Sequence, residues 1–259
     1  LLDAADAGEL ATREGLLGQV DRLLDSPRAR AGVRAFFTDA LRLHELASMT
    51  KDPTVFEQTH PELGADAMEE TLLGLEDLVF ERDGDYRDVM TTDETFVNPR
   101  LAALYRIPAP DPDGFARVRL PADGQRRGLL GQLAFLGAHA HAATSSATLR
   151  GKAVRTILLC QAIPAPPVNV DTSIPEPSGT ALTLRDRVKE HLEEPSCAGC
   201  HLLTDPIGLG LEQFDAIGRW RTHETGTGTG DDPPVDPSGT LADGRSYRSP
   251  PCVTAGFSV

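Results

Sequence analysis

Through the first eighty positions apolar residues recur three and four apart, the period of a helix with one apolar face. Leu16, Leu17, Val20, Leu23 and Leu24 follow Thr12 at that spacing and predict an amphipathic helix. Ser26 and Pro27 read as a start signal, Ser as N-cap and Pro as first helical residue. They launch a second helix over 28–48 with Val33, Phe36, Phe37, Leu41 and Leu46 on one side. Thr59, His60 and Pro61 open a third over 62–82, with Met68, Leu72, Leu75, Leu78 and Val79 inward. On that reading the acidic pairs Glu69 with Glu70 and Glu76 with Asp77 lie on a solvated face, as do Glu193 and Glu194 further on.

The second half is more broken. Asn98 and Pro99 cap a short helix through Tyr105, and 115–120 alternates as a short strand. Residues 125–138 return to helix, with Leu129, Leu130, Leu133 and Leu136 buried. His139 and His141 then alternate in a polar loop that leads to a helix over 149–161. The proline-rich stretch 163–177 must be extended and reads as a strap over the helices. Thr183 and Asp186 have capping-box spacing for a helix over 184–194. Asp205 and Pro206 stop the helix begun at Ser196, and 211–217 forms another short one. Arg219, Trp220 and Arg221 are strand-like, and 235–239 turns between two short strands. The fold expected is mainly α, an irregular helical bundle with minor β.

Charge narrows the partners. A formal net charge of −14 over 259 residues opposes nucleic acid and anionic membrane surfaces, both of which need positive fields. No run of about 18 apolar residues is present to span a membrane. Nucleophile-elbow, phosphate-loop and zinc-protease patterns are lacking, so an enzyme reading has no motif to stand on.

One motif demands a particular chemistry. Cys197 and Cys200 stand three apart, followed at once by His201, which is the attachment pattern of c-type haem. The two thiols can share one turn and hold a haem through thioethers, with His201 aimed at the iron. Zinc or a redox disulfide at the same pair are the competing readings; zinc would need two further ligands. The Pro206 carbonyl is the expected acceptor for the other ring nitrogen of His201. Arg219 and Arg221 are candidates for the haem propionates, against ordinary salt bridges to Asp205, Glu212 or Asp215. Arg150 with Gly151 is a further anion-binding candidate. Candidates for a sixth iron ligand are His223, His139 and His141. A filled sixth site favours electron transfer, and an open one peroxidase-like chemistry. Cys160 and Cys252 remain, either bridged or as separate thiols, with Cys160 packed inside a helix.

The run from Cys197 through Asp205, Pro206, Gly208, Glu212, Phe214, Asp215, Gly218 and Arg219 to Arg221 resembles the C-terminal segment of the planctomycete and myxobacterial cytochrome c-like family. Arg127 to Gln132, Thr144 to Ser146, Arg150 with Gly151, Leu158 to Cys160, Pro164 to Pro167, and Thr95 to Asn98 with Leu101 to Tyr105 resemble the domains that precede it. Thr204 stands where relatives usually carry Met, and Ser146 with Ala147 where they often carry Pro. The resemblance implies a secreted protein with one covalent haem c, a redox partner protein, a periplasmic or otherwise extracytoplasmic location, and an export signal and flanking domains beyond this chain. It divides the chain into a helical domain over 1–120, a helical pair plus strap over 121–177, and a haem-binding segment over 178–259, expected to be truncated at its C-terminus.

Overall fold

Side chains that accept the first free amides set where the helices begin. The Thr12 hydroxyl accepts the Gly15 amide at 3.1 Å, Asn98 Oδ1 the Leu101 amide at 2.9 Å, and the Ser146 hydroxyl the Leu149 amide at 3.2 Å. Thr183 and Asp186 form the reciprocal box that their spacing predicts: each side chain accepts the other's backbone amide, at 3.1 and 3.2 Å.

The computed structural model describes residues 1–122, 125–164, 183–193, 195–224, 232–240 and 246–248 and is mainly helical. In chain order it has α1 (Leu2–Asp6), α2 (Arg13–Leu24), α3 (Ala29–Ala40), α4 (Leu63–Glu76), β1 (Glu94–Val97), α5 (Pro99–Tyr105), β2 (Ala116–Arg119), α6 (Leu133–Ala138), α7 (Ala147–Ala153), α8 (Leu184–Glu193), α9 (Pro195–Gly208), β3 (Ser238–Thr240) and β4 (Ser246–Arg248). Strands β1 and β2 pair antiparallel with Glu94 opposite Arg119, and β3 pairs antiparallel with β4. The strap over 163–177 falls mostly outside the described residues, as do Glu194 and Cys252. No helix among the described residues is long and apolar enough to cross a membrane.

The chain divides into Leu1–His44 and Glu45–Val259. In the first unit α3 ends where Arg42 turns left-handed at φ 54°, so the long helix expected over 28–48 is two pieces, the second a 3-10 turn over Leu43–Ser48. Ser26 accepts the Arg28 amide at 3.2 Å in a turn ahead of α3 and is not its N-cap. Phe37 is buried, but Phe36 is exposed. The apolar stripe of α2, from Leu16 to Leu24, stays 40–50% exposed. A unit of this size has too little interior to cover every apolar face.

The second unit holds the main core, with Leu72, Leu75, Leu101, Leu133 and Leu136 almost wholly enclosed. Where 125–138 was expected to be one helix, Gly128 turns at φ 51° and Gln132 is extended, leaving a 3-10 turn over Leu129–Gly131 and then α6. The 211–217 stretch is not a helix either; a 3-10 turn over Leu209–Leu211 gives way to turns.

Two carboxylates expected in solvent lie inside. Glu70 has no exposed surface, and Asp77 is buried beside Arg82 and Arg117. Glu70 accepts the Thr95 hydroxyl at 2.7 Å and the Tyr105 hydroxyl at 2.6 Å. Tyr105 in turn accepts the Leu133 amide at 2.9 Å, so one carboxyl ties α4, β1, α5 and α6 together. Helical periodicity assigns a face, but it does not reveal that this face turns toward a second layer carrying its own donors.

Burial pushes the Glu70 carboxyl up to about 7, against the opposing pull of Tyr105, Thr95 and Arg126. A folded-state pKa above the unfolded value of 4.5 means that the native state holds this proton more tightly. Its contribution is present in full below the unfolded pKa and is lost as pH rises through about 7, a loss of about 3 kcal/mol. Glu70→Gln, which cannot ionise, should flatten stability between pH 4.5 and pH 7 in urea unfolding; a profile as steep as the parent's would remove Glu70 from the account.

Candidate functional site

Helix α9 carries Cys197, Cys200 and His201 at the spacing that brings side chains onto one helical face. Both thiols are half-buried, and Cys200 Sγ lies 3.8 Å from the Pro164 carbonyl. On the opposite side of the helix Leu202 is 60% exposed, and the space where a Gly199 side chain would stand is empty.

His201 is held from below. Its Nδ1 lies 2.7 Å from Asp205 Oδ2, one helical turn on. A carboxylate only accepts, so Nδ1 carries the proton, and a metal would bind through Nε2. Asp205 has no exposed surface, and its Oδ1 accepts the hydroxyls of Thr148 at 2.8 Å and Thr204 at 3.0 Å. The acceptor at Nδ1 is thus the Asp205 side chain, where sequence reasoning looked one residue further to the Pro206 carbonyl. Pro206 does not stop the helix, which runs on to Gly208.

Thr148 sits on α7, more than fifty residues earlier, and reaches Asp205 because the two helices nearly touch. A Cβ on Gly151 would collide with the Thr204 carbonyl, and one on Gly208 with the Ala147 carbonyl. Each glycine is the gap that the opposite backbone fills. Gly151→Ala should therefore destabilise the fold by about 1–3 kcal/mol through overpacking. Gly199→Ala, with nothing to strike, should be neutral or stabilise by about 0.5–1 kcal/mol through helix propensity. Urea midpoints of the two variants check the contrast, and equal effects would contradict the close approach.

The arginines are committed elsewhere. Arg150 is wholly buried and donates to the carbonyls of Leu211, Phe214, Leu136 and Asp215 at 2.7–3.3 Å, so it is a structural cation and not an anion site. Burial, offset by Glu212, lowers its pKa to about 10, and it stays charged. Arg219 lies 2.8 Å from Asp215, and Arg221 pairs with Glu212 at 3.0 Å and Glu224 at 3.1 Å. Glu224 also accepts the Leu184 amide at 3.1 Å, tying the start of α8 into the same network. Of the two readings of Arg219 and Arg221, the geometry has the salt bridges. Trp220 packs edge-on against Phe214 at 5.2 Å and borders a cleft of about 280 Å³ with Tyr105, Leu120 and Arg126.

The sixth-ligand candidates lie on other elements. His139 follows α6 with its ring 5.0 Å from that of Phe135. His141 is exposed at the surface; partial burial and nearby Lys51 lower its pKa. His223 is exposed, its Nδ1 2.9 Å from the Thr222 hydroxyl. Cys160 is exposed with φ 52°, not packed inside a helix. Among the described residues no group of three or more His, Cys, Asp or Glu side chains could hold a metal ion.

These residues fit a haem. Two half-buried thiols stand three apart on one helical face, and the following imidazole has its Nδ1 engaged by a buried carboxylate. Asp205 and Thr148 were missed in the sequence; the only hint was an acid four residues after the histidine, and nothing local pointed to α7.

No curated protein and no solved structure matches the chain. Residues 126–224 match PSCyt3, a protein of unknown function (DUF1588), and residues 1–107 match PSD4, a protein of unknown function (DUF1592). The site and its α7 support both lie within the first of these matches, while the helices through α5 lie within the second. Together the two matches cover most of the chain, which carries these planctomycete cytochrome-like domains of unknown function.

Proposed function

We propose that this chain is a c-type haem protein that carries electrons outside the cytoplasm. The observation that carries the proposal is the joint arrangement on α9: half-buried Cys197 and Cys200 beside a His201 whose Nδ1 is already engaged. The cytochrome-like family supports it. Cys197 and Cys200 would hold one haem through thioethers, and His201 Nε2 would bind its iron. Haem supplies a one-electron iron couple when bound. The chain's own part is to fix that site: α7 packs against α9 through Gly151 and Gly208, and Asp205 orients the imidazole ring. Within the chain, 178–259 would be the haem-binding segment, 1–120 a helical domain of unknown function and 121–177 a helical pair plus strap. Covalent attachment takes place outside the bacterial cytoplasm, which sets the location, and a net charge of −14 favours a redox partner with a basic docking face.

The test is the intact mass and reduced absorption spectrum of the chain exported alongside cytochrome c maturation machinery. One added haem and a c-type spectrum are expected, both lost in the double variant Cys197→Ala, Cys200→Ala. His201→Ala should keep the added mass but change the spectrum and the potential. A folded chain without haem would overturn the proposal and return Cys197 and Cys200 to the zinc or disulfide reading.

A further inference from the structure

We infer that Asp205 is a positioning residue that lowers the reduction potential of the proposed haem site, with Thr148 limiting how far it does so. The inference rests on the haem reading above and concerns what the chain does to its own histidine.

Three observations point the same way. The partner of His201 Nδ1 is a carboxylate at 2.7 Å, which brings a full negative charge where a backbone carbonyl would bring only a dipole. That carboxylate has no exposed surface, so water does not dilute its effect on the ring. Its orientation is fixed from the other side, because Oδ1 accepts Thr148 at 2.8 Å and Thr204 at 3.0 Å, leaving Oδ2 for the imidazole. A carboxylate drawing on the Nδ1 proton makes the ring a more basic ligand at Nε2. A more basic ligand and a nearby buried negative charge both favour the more positive oxidation state of a bound iron, which is a lower potential. The Thr148 hydroxyl works against this by drawing charge from the same carboxylate through a neutral bond.

The two residues therefore predict shifts of opposite sign. In the matured holoprotein, Asp205→Asn should raise the haem potential by at least the equivalent of a tenfold change in the ferric to ferrous ratio, 59 mV for one electron. Thr148→Val, which removes one donor to Oδ1, should move it the other way by a smaller amount. Loosening of the helix pair alone would move both variants in one direction. Spectroelectrochemical titration of the parent and both variants reads the result, with the added haem mass confirmed in each. An unmoved potential in Asp205→Asn, or shifts of the same sign in the two variants, overturns the inference while the haem reading stands. A folded parent chain with no haem mass overturns both. If Asp205→Asn does not fold, the sign of the Thr148→Val shift decides alone: negative supports the inference and positive or zero overturns it.

Discussion

A single buried cation organises the second half of the molecule. Arg150 has no exposed surface, and its two terminal nitrogens reach carbonyls of Leu136, Leu211, Phe214 and Asp215. The turns after Leu211 form neither a helix nor a full sheet, so their carbonyls need donors from elsewhere. Arg150 supplies these from α7, and Glu212, 3.5 Å away, offsets the charge. A buried charge with this many hydrogen bonds tolerates little movement, because a displaced guanidinium would strand both itself and the carbonyls. The helix that presents Arg150 also presents Gly151 to α9 and Thr148 to Asp205. The alignment of the imidazole is therefore fixed by the same constraint that orders the turns beyond it.

Local signals were well marked in the sequence and non-local ones were not. The caps at Thr12, Asn98 and Thr183 follow from a polar side chain and a few neighbouring residues, and the haem motif spans only five positions, whereas Ser146, read as loop ahead of a helix from 149, caps α7 two residues earlier. The reciprocal pair Thr183 and Asp186 depends on nothing outside its own turn. Asp205 and Thr148 meet across 57 positions, and no pattern in either stretch announces the other. Glu70 looked like a surface acid because its neighbour Glu69 is acidic as well; its burial follows from the arrival of Thr95 and Tyr105 from β1 and α5. The breaks at Arg42 and Gln132 were hidden for a related reason. Apolar spacing continues across each of them while the backbone leaves the helix, since the period fixes which side chains face inward and not whether every residue between them stays helical.

The PSD4 match runs across both units of the structure, whereas the PSCyt3 match lies wholly within the second. The PSCyt3 match begins at Arg126, whose guanidinium lies 3.7 Å from the centre of the Tyr105 ring and donates to the carbonyls of Gly131 and Gly218. It ends at Glu224, the residue that caps α8 and pairs with Arg221. Both ends of the matched stretch are thus anchored through buried charges, and the segment with the cysteine motif is closed on itself by Arg221, Glu224 and the start of α8. Thr204 and Ser146, the two departures from the resemblance, each have work here: one steadies Asp205 and the other caps α7.

The scarcity of lysine gives the fold a gauge of its own integrity. Lys51 is buried, its amine bonded to the carbonyls of Gly137 and His141 at 2.8 and 3.0 Å, while Lys152 and Lys189 are exposed. Acylating reagents meeting the native chain find the amines of α7 and α8 and miss the one beneath α6. Burial lowers the Lys51 pKa to about 8, and opening the core removes that cause, so the freed amine meets the reagent as an ordinary solvated lysine. Mass-resolved labelling at Lys51 thus counts openings of the core, against Lys152 and Lys189 as internal references on the same molecule.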